Sequence, residues 1–277
     1  FTYLAEYLRY SLPLTPNSLI RWVTDSSDRY LIGFFLGVGS VGVYSAAYAI
    51  GNLIQLFISP IQFILFPELS RLYDERKSGD VKVYLSYSLK YFLFIAIPAA
   101  FGLAVLSKPL LEIFTSTEFV SGSSVIPFIA LAGLLAGVFQ VIINITHLVK
   151  KTQFNLAIHV VAAVINVILN VLLIPMIGIL GAAIATTLSY LAMVIICISV
   201  SFKYIKFDLH GDFIIKSIVA SGIMAGLVYP LYPQEIFSLL LVVTGGTIVY
   251  VLVMIVFFRS FNYQELNMLK NLVMKRL

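Results

Sequence analysis

Long, nearly unbroken apolar runs alternate with short polar connections along this chain, and eight of the runs reach the ~20 residues that a helix needs to cross a bilayer. They fall at 12–36, 40–67, 84–106, 123–148, 154–175, 180–202, 213–232 and 236–258. The runs are continuous rather than alternating, which predicts membrane helices and excludes a transmembrane barrel. The final stretch, NYQELNMLKNLVMKRL, is shorter and amphipathic, and it reads as a helix lying along the membrane surface. The expected fold is an all-α, polytopic helical bundle of about eight transmembrane helices.

Composition agrees with this pattern. Hydrophobic residues make up 60% of the chain and charged ones 11%, with a mean hydropathy of +1.00, too little polar surface for a water-soluble domain. Charge then orients the bundle. The connections after spans two, four and six, with the C-terminal tail, carry fourteen of the 18 lysines and arginines, among them Arg71, Lys82, Lys150, Lys151, Lys203 and Lys206. The opposite side carries only Lys108, so the lysine-rich side is expected to face the cytoplasm. The net charge of +5 thus reflects topology and membrane lipids rather than nucleic acid. The loops on the opposite side are too short to hold a folded domain, so function is expected inside the bundle. The chain opens at Phe1 without an initiator Met, which looks like a cut within a larger protein.

Against this apolar background the stretch RWVTDSSDRYLIGF stands out, because ionisable groups inside a membrane are costly and mark function or a buried network. On a helical wheel Arg21, Asp25, Asp28 and Arg29 share an arc of about 100°. Arg21 with Asp25, and Asp25 with Arg29, are spaced for pairing within the helix. Two readings stand side by side: a self-neutralised network between helices, or a wet, partly cationic pathway for an anionic substrate. A third makes Asp25 or Asp28 a site for a coupling ion, H+ or Na+.

Other spans carry uncharged polar stripes. Tyr44, Tyr48, Asn52, Gln55, Ser59 and Gln62 share an arc of about 80° on span two. Gln140, Asn144 and His147 recur on one face of span four, and Asn155, His159, Asn166 and Asn170 on one face of span five. As whole stripes these suit a hydrated cavity able to meet sugar hydroxyls; singly, each residue also fits hydrogen bonding between helices. The histidines lack the carboxylate spacing of a metal site. No phosphate loop, nucleophile elbow or Cys/His pair is present, so no catalytic residue is expected. Pro60, Pro67 and Pro98 are candidate kinks. GSVGVYSAAYAI and GILGAAIATTLSYL echo each other at the starts of spans two and six.

Two stretches resemble a known family. DSSDRYLIGFFLGVGSVGVYSAAYAI, at 25–50, and NVILNVLLIPMIGILGAAIATTLSY, at 166–190, are similar to the Wzx-type polysaccharide and lipid-linked oligosaccharide flippases of the multidrug/oligosaccharidyl-lipid/polysaccharide exporter superfamily. The second, N-x-x-x-N-x-x-L-I-P followed by G-x-x-G-A-A-x-A-T, also resembles the drug exporters of that superfamily. The resemblance implies a transporter of two six-helix lobes. Residues 1–206 would be the second lobe, 207–260 two additional helices, and 261–277 an amphipathic cytoplasmic tail; the N-terminal lobe would be a missing partner. It further implies that a polyprenyl-diphosphate-linked glycan crosses the cytoplasmic membrane by alternating access, with Arg21 and Arg29 matching the cationic groups that receive the diphosphate. A multidrug or cation antiporter, using Asp25 and Asp28, is the alternative. A membrane glycan polymerase or ligase is a poorer fit, because the outer face offers only scattered charges.

Overall fold

The computed structural model describes residues 15–151 and 153–258, with side chains from Ser26 onward except those of 152 and 257. The amphipathic tail expected at 261–277 lies outside the described residues. Among the described residues every regular element is helical. In chain order they are α1 (Thr15–Leu36), α2 (Val38–Gly51), a tight 3-10 turn (Asn52–Ile54), α3 (Gln55–Asp74), α4 (Ser78–Val105), α5 (Ser107–Phe114), a second 3-10 segment (Thr117–Val125), α6 (Ile126–Leu148), α7 (Gln153–Ile177), α8 (Ile179–Ser201), α9 (Gly211–Val228) and α10 (Ile236–Leu252). A short π-helical turn, Val253–Phe257, continues α10.

Seven of these segments are long and apolar enough to cross a membrane, α2 and α3 together making one of them. α1, expected as the eighth span, is 22 residues long and less apolar because of its four ionisable residues. The chain is a multi-pass helical membrane protein, as the hydropathy pattern predicts.

Span two is longer than the pattern indicates, running to Asp74 instead of 67. Its α-helical hydrogen bonding is interrupted at Asn52–Ile54, between the polar positions of the stripe and well before either proline. Packing beside the break is close: a Cβ on Gly51 would sit 2.8 Å from Ile129 on α6. Beyond Asp74 the helix ends in an exposed knot of charge. Arg71 bonds Glu75 at 2.7 Å, and Lys77 bonds the same carboxylate at 2.7 Å. Lys77 and then Arg71 hold that carboxyl below the ordinary carboxylate range.

Two connections are as short as helices permit. Gly37 joins α1 to α2 and Gly178 joins α7 to α8, with φ of 85° and 67°. Only glycine takes this left-handed conformation without steric cost, so each helix reverses within a residue of its end. The reversals set α1, α7 and α8 side by side in one packed group. The G-x-x-G echo proves unequal in packing. A Cβ on Gly181 would meet the Leu173 carbonyl oxygen at 2.5 Å, whereas one on Gly42 would find only a Phe119 ring carbon at 3.6 Å. At the other end of the chain α9 packs on α4, and α10 packs on α9.

Candidate functional site

A cavity of about 770 Å³ opens between α1, α2–α3, α6, α7 and α8. Its walls come from the polar stripes. Arg29 and Ser26 enter from α1, Tyr48 from α2, Asn52 from the 3-10 turn, and Gln55, Ser59 and Gln62 from α3. Facing them are Gln140, Asn144 and His147 on α6, with Asn155 and His159 at the start of α7. Aromatic and aliphatic groups fill the gaps, chiefly Phe66, Phe139, Tyr190 and Met193.

The amides form a ladder across the cavity wall. Gln140 Nε2 donates to Gln55 Oε1 at 3.0 Å, and Gln55 Nε2 donates to the Gly133 carbonyl at 3.3 Å. One turn further, Asn144 Nδ2 donates to Gln62 Oε1 at 3.2 Å. Towards the lysine-rich end, His147 Nε2 lies 3.2 Å from Asn155 Nδ2, and His159 Nδ1 lies 2.8 Å from the Asn155 carbonyl oxygen. Gln62 Nε2 and Asn155 Oδ1 have no hydrogen-bond partner. At the other end Arg29 Nε donates to Ser45 Oγ at 3.3 Å, and its guanidinium lies 4.8 Å from the centre of the Tyr48 ring.

Asp28, one residue before Arg29, points elsewhere. It is 2% exposed and held by neutral donors: Tyr44 Oη and Thr186 Oγ1 to Oδ2, and Asn170 Nδ2 to Oδ1, each at 2.7 Å. Asn170 Nδ2 also donates to Asn166 Oδ1 at 2.9 Å, as does Ser27 Oγ. Asn170 Oδ1 has no hydrogen-bond partner. This cluster is sealed, because Asn166 and Asn170 are fully buried and α7 and α8 close over it.

The residues singled out from the sequence therefore divide. Arg29, Tyr48, Asn52, Gln55 and Gln62 line the cavity, as do Asn144, His147, Asn155 and His159. Asp28, Asn166 and Asn170 do not line it. Successive helical residues diverge by about 100°, which turns Asp28 into the α1–α7–α8 seam while Arg29 faces the void. Asp28 bonds Tyr44, Thr186 and Asn170, whereas Arg29 reaches Ser45 and the Tyr48 ring. The side chains of Arg21 and Asp25 lie outside the described residues.

Sequence reasoning missed Thr186 and underused Tyr44 and Gln140. A signal for Thr186 existed: it closes the G-x-x-G-A-A-x-A-T run, whose small residues bring α8 close enough for a short hydroxyl to reach Asp28. Among the described residues no three His, Cys, Asp or Glu side chains group as metal ligands.

Comparison with known proteins places these features in a family context. The sequence profile of the polysaccharide biosynthesis protein family matches residues 1–124. The probable low-salt glycan biosynthesis flippase of Haloferax volcanii is 26% identical over 230 residues, covering 80% of this chain and 48% of its own length. The lipopolysaccharide biosynthesis protein WzxC of Escherichia coli K12 is 27% identical over 196 residues, covering 69% of this chain and 38% of its own. The chain thus spans about half the length, or less, of these curated relatives. In fold it resembles the lipid II flippase MurJ in an inward closed conformation, with a TM-score of 0.78 at 22% identity over 94% of this chain and 56% of that one.

Proposed function

We propose that this chain, a relative of the polysaccharide and lipid-linked oligosaccharide flippases, forms one half of a transporter that moves a polyprenyl-diphosphate-linked glycan across the cytoplasmic membrane. Residues 1–206 are its second lobe and 207–260 two additional helices, and the cavity faces an N-terminal lobe of the same protein. Alternating access exposes that cavity first to the lysine-rich, cytoplasmic side and then to the other.

The observation that carries this reading is the polarity of the cavity wall. Its described lining residues include a guanidinium and a ladder of amides, but no carboxylate. Of the two carboxylates a cation antiporter would use, Asp28 is turned away into the α7–α8 seam, and the Asp25 side chain lies outside the described residues. An arginine fork suits phosphate oxygens, while carboxamides donate and accept with sugar hydroxyls at no charge. The reading assigns no catalytic residue.

The test uses the intact protein in cells. Arg29→Ala should abolish glycan export at normal membrane abundance, and Arg29→Lys should restore part of it, since charge is kept and the fork is lost. Arg21 takes the same pair of substitutions. Normal export by both alanine variants would remove the diphosphate role. Cysteines at Ser40, Ser121 and Gln234 should react with an impermeant reagent from outside, and cysteines at Ser78 and Thr152 should not; the reverse pattern would invert the topology.

A second role belongs to the sealed cluster. Asp28, Asn166, Asn170 and Thr186 bring one carboxylate and several neutral oxygens together, and the Asn170 amide oxygen is unsatisfied. One negative charge among neutral donors matches a monovalent coupling ion, H+ or Na+. If so, Asp28→Asn decouples export from the ion gradient while leaving the Arg29 phenotype unchanged; gradient-dependent export by that variant would assign coupling elsewhere.

A further inference from the structure

Between α4, α6 and α9 a second cavity of about 350 Å³ has a wholly apolar lining. Leu89, Leu93, Ile97 and Phe101 form its floor at i, i+4, i+8 and i+12, a stripe about 18 Å long. Leu131 and Leu134 of α6 wall one side and Ile218 of α9 the other. Leu131 and Ile218 are each nearly half exposed, so the groove opens sideways towards the bilayer. Water is disfavoured in an apolar space of this kind, and hydrocarbon is the solvent at its mouth.

Chemistry changes at the lysine-rich end. Ser86, one turn before Leu89, bonds the Asp208 carbonyl at 2.7 Å and lies 2.8 Å from His210 Nε2. These contacts fix the linker 203–210 across the groove's end. Along that linker Ile205, Phe207 and Leu209 turn inward, and Lys203 and Lys206 are exposed. Two acids also stand on this side: Asp208 lies 3.4 Å from His210 Nδ1, and Asp212 pairs with Lys216 at 2.6 Å. A groove as long as an acyl chain therefore ends beneath a strap with two exposed lysines.

We infer that this groove binds one acyl chain of an anionic membrane phospholipid from the leaflet on the lysine-rich side, with its phosphate at Lys203 and Lys206. The commitment to an anionic headgroup rests on charge complementarity at the strap, each lysine near a membrane surface strengthening such binding about fivefold. The site is separate from the polar cavity, with α4 and α6 between them, and it docks the α9–α10 hairpin to the six preceding spans through lipid as well as protein.

The test is native mass spectrometry of the intact protein, released from nanodiscs of mixed phosphatidylglycerol and phosphatidylethanolamine. A retained phosphatidylglycerol adduct is expected. It should be lost in Ala100→Phe, which fills the groove, and fall at least tenfold in affinity in Lys203→Gln/Lys206→Gln. Because Ala100→Phe risks misfolding, a phosphatidylglycerol with a photoreactive acyl chain is crosslinked to the unsubstituted protein, and peptides bearing Leu93, Ile97 or Leu134 should carry the label. No adduct, an adduct unaffected by either substitution, labelling elsewhere, or retention of a polyprenyl diphosphate instead would each overturn the proposal.

Discussion

Asp28 and Arg29 are neighbours in sequence, yet they belong to two polar clusters with opposite designs. The Asp28 cluster is closed: three neutral donors meet its carboxylate at 2.7 Å, and helices cover it on every side. The Arg29 cluster is open, with amides bonded to one another along one wall of a 770 Å³ void and polar atoms of Gln62 and Asn155 left unsatisfied. The same residue types, asparagine, glutamine, tyrosine and hydroxyls, build both. What separates them is access: neighbouring helices close over the first, while the second borders the void. A buried network closed off by helices rigidifies a seam, while unsatisfied groups beside a cavity are available to a ligand.

The largest effect should come from breaking the closed cluster. Asp28→Ala leaves Tyr44, Thr186 and Asn170 buried without their acceptor, at a cost of about 3–5 kcal/mol. Membrane abundance and the melting temperature in detergent should both collapse; a variant that melts like the parent would show the cluster to be dispensable to the seam. Next comes the packing that permits it. Gly181→Ala sets a methyl against the Leu173 carbonyl, so α7 and α8 must part, for about 1–3 kcal/mol. The companion Gly42→Ala, with only ordinary contact ahead of it, should be near neutral in the same melt.

In the open cluster the sign of the comparison reverses. Gln140→Ala and Gln62→Ala should leave stability within about 1 kcal/mol and, on the proposed transport function, lower glycan export several-fold, since each amide contributes about one hydrogen bond. Loss of fold without loss of export in these variants would mean that the ladder is a second seam. The smallest effect is expected outside both clusters. Tyr232 Oη donates to Glu112 at 2.6 Å on an exposed loop, and this bond pushes its phenol up to about 12. A folded value raised above the ordinary 10 means that the contribution is complete below pH 10 and disappears as pH rises towards 12. Tyr232→Phe should therefore melt slightly below the parent at neutral pH, and that small difference should vanish in strong alkali.

Hydropathy alone determined the helical spans of the described residues and most of their connections, the end of span two excepted, because a bilayer forces the backbone to satisfy itself within each segment and leaves the helix as the unit. Helical periodicity also placed Gln55, Gln62, Asn144 and His147 on stripes that the structure brings to one void. Two kinds of information were missing from the pattern. One is local: beside the break at Asn52–Ile54, Ile129 approaches Gly51 closely, a distance that no propensity records. The other is the assignment of each polar side chain to seam or cavity. Asn166 and Asn155 lie on the same face of α7, but α8 packs over the first through its small residues and leaves the second at the cavity mouth. A stripe specifies which way a helix looks; only the neighbouring helix, by its distance and the size of its side chains, decides whether the polar groups meet protein or an open space.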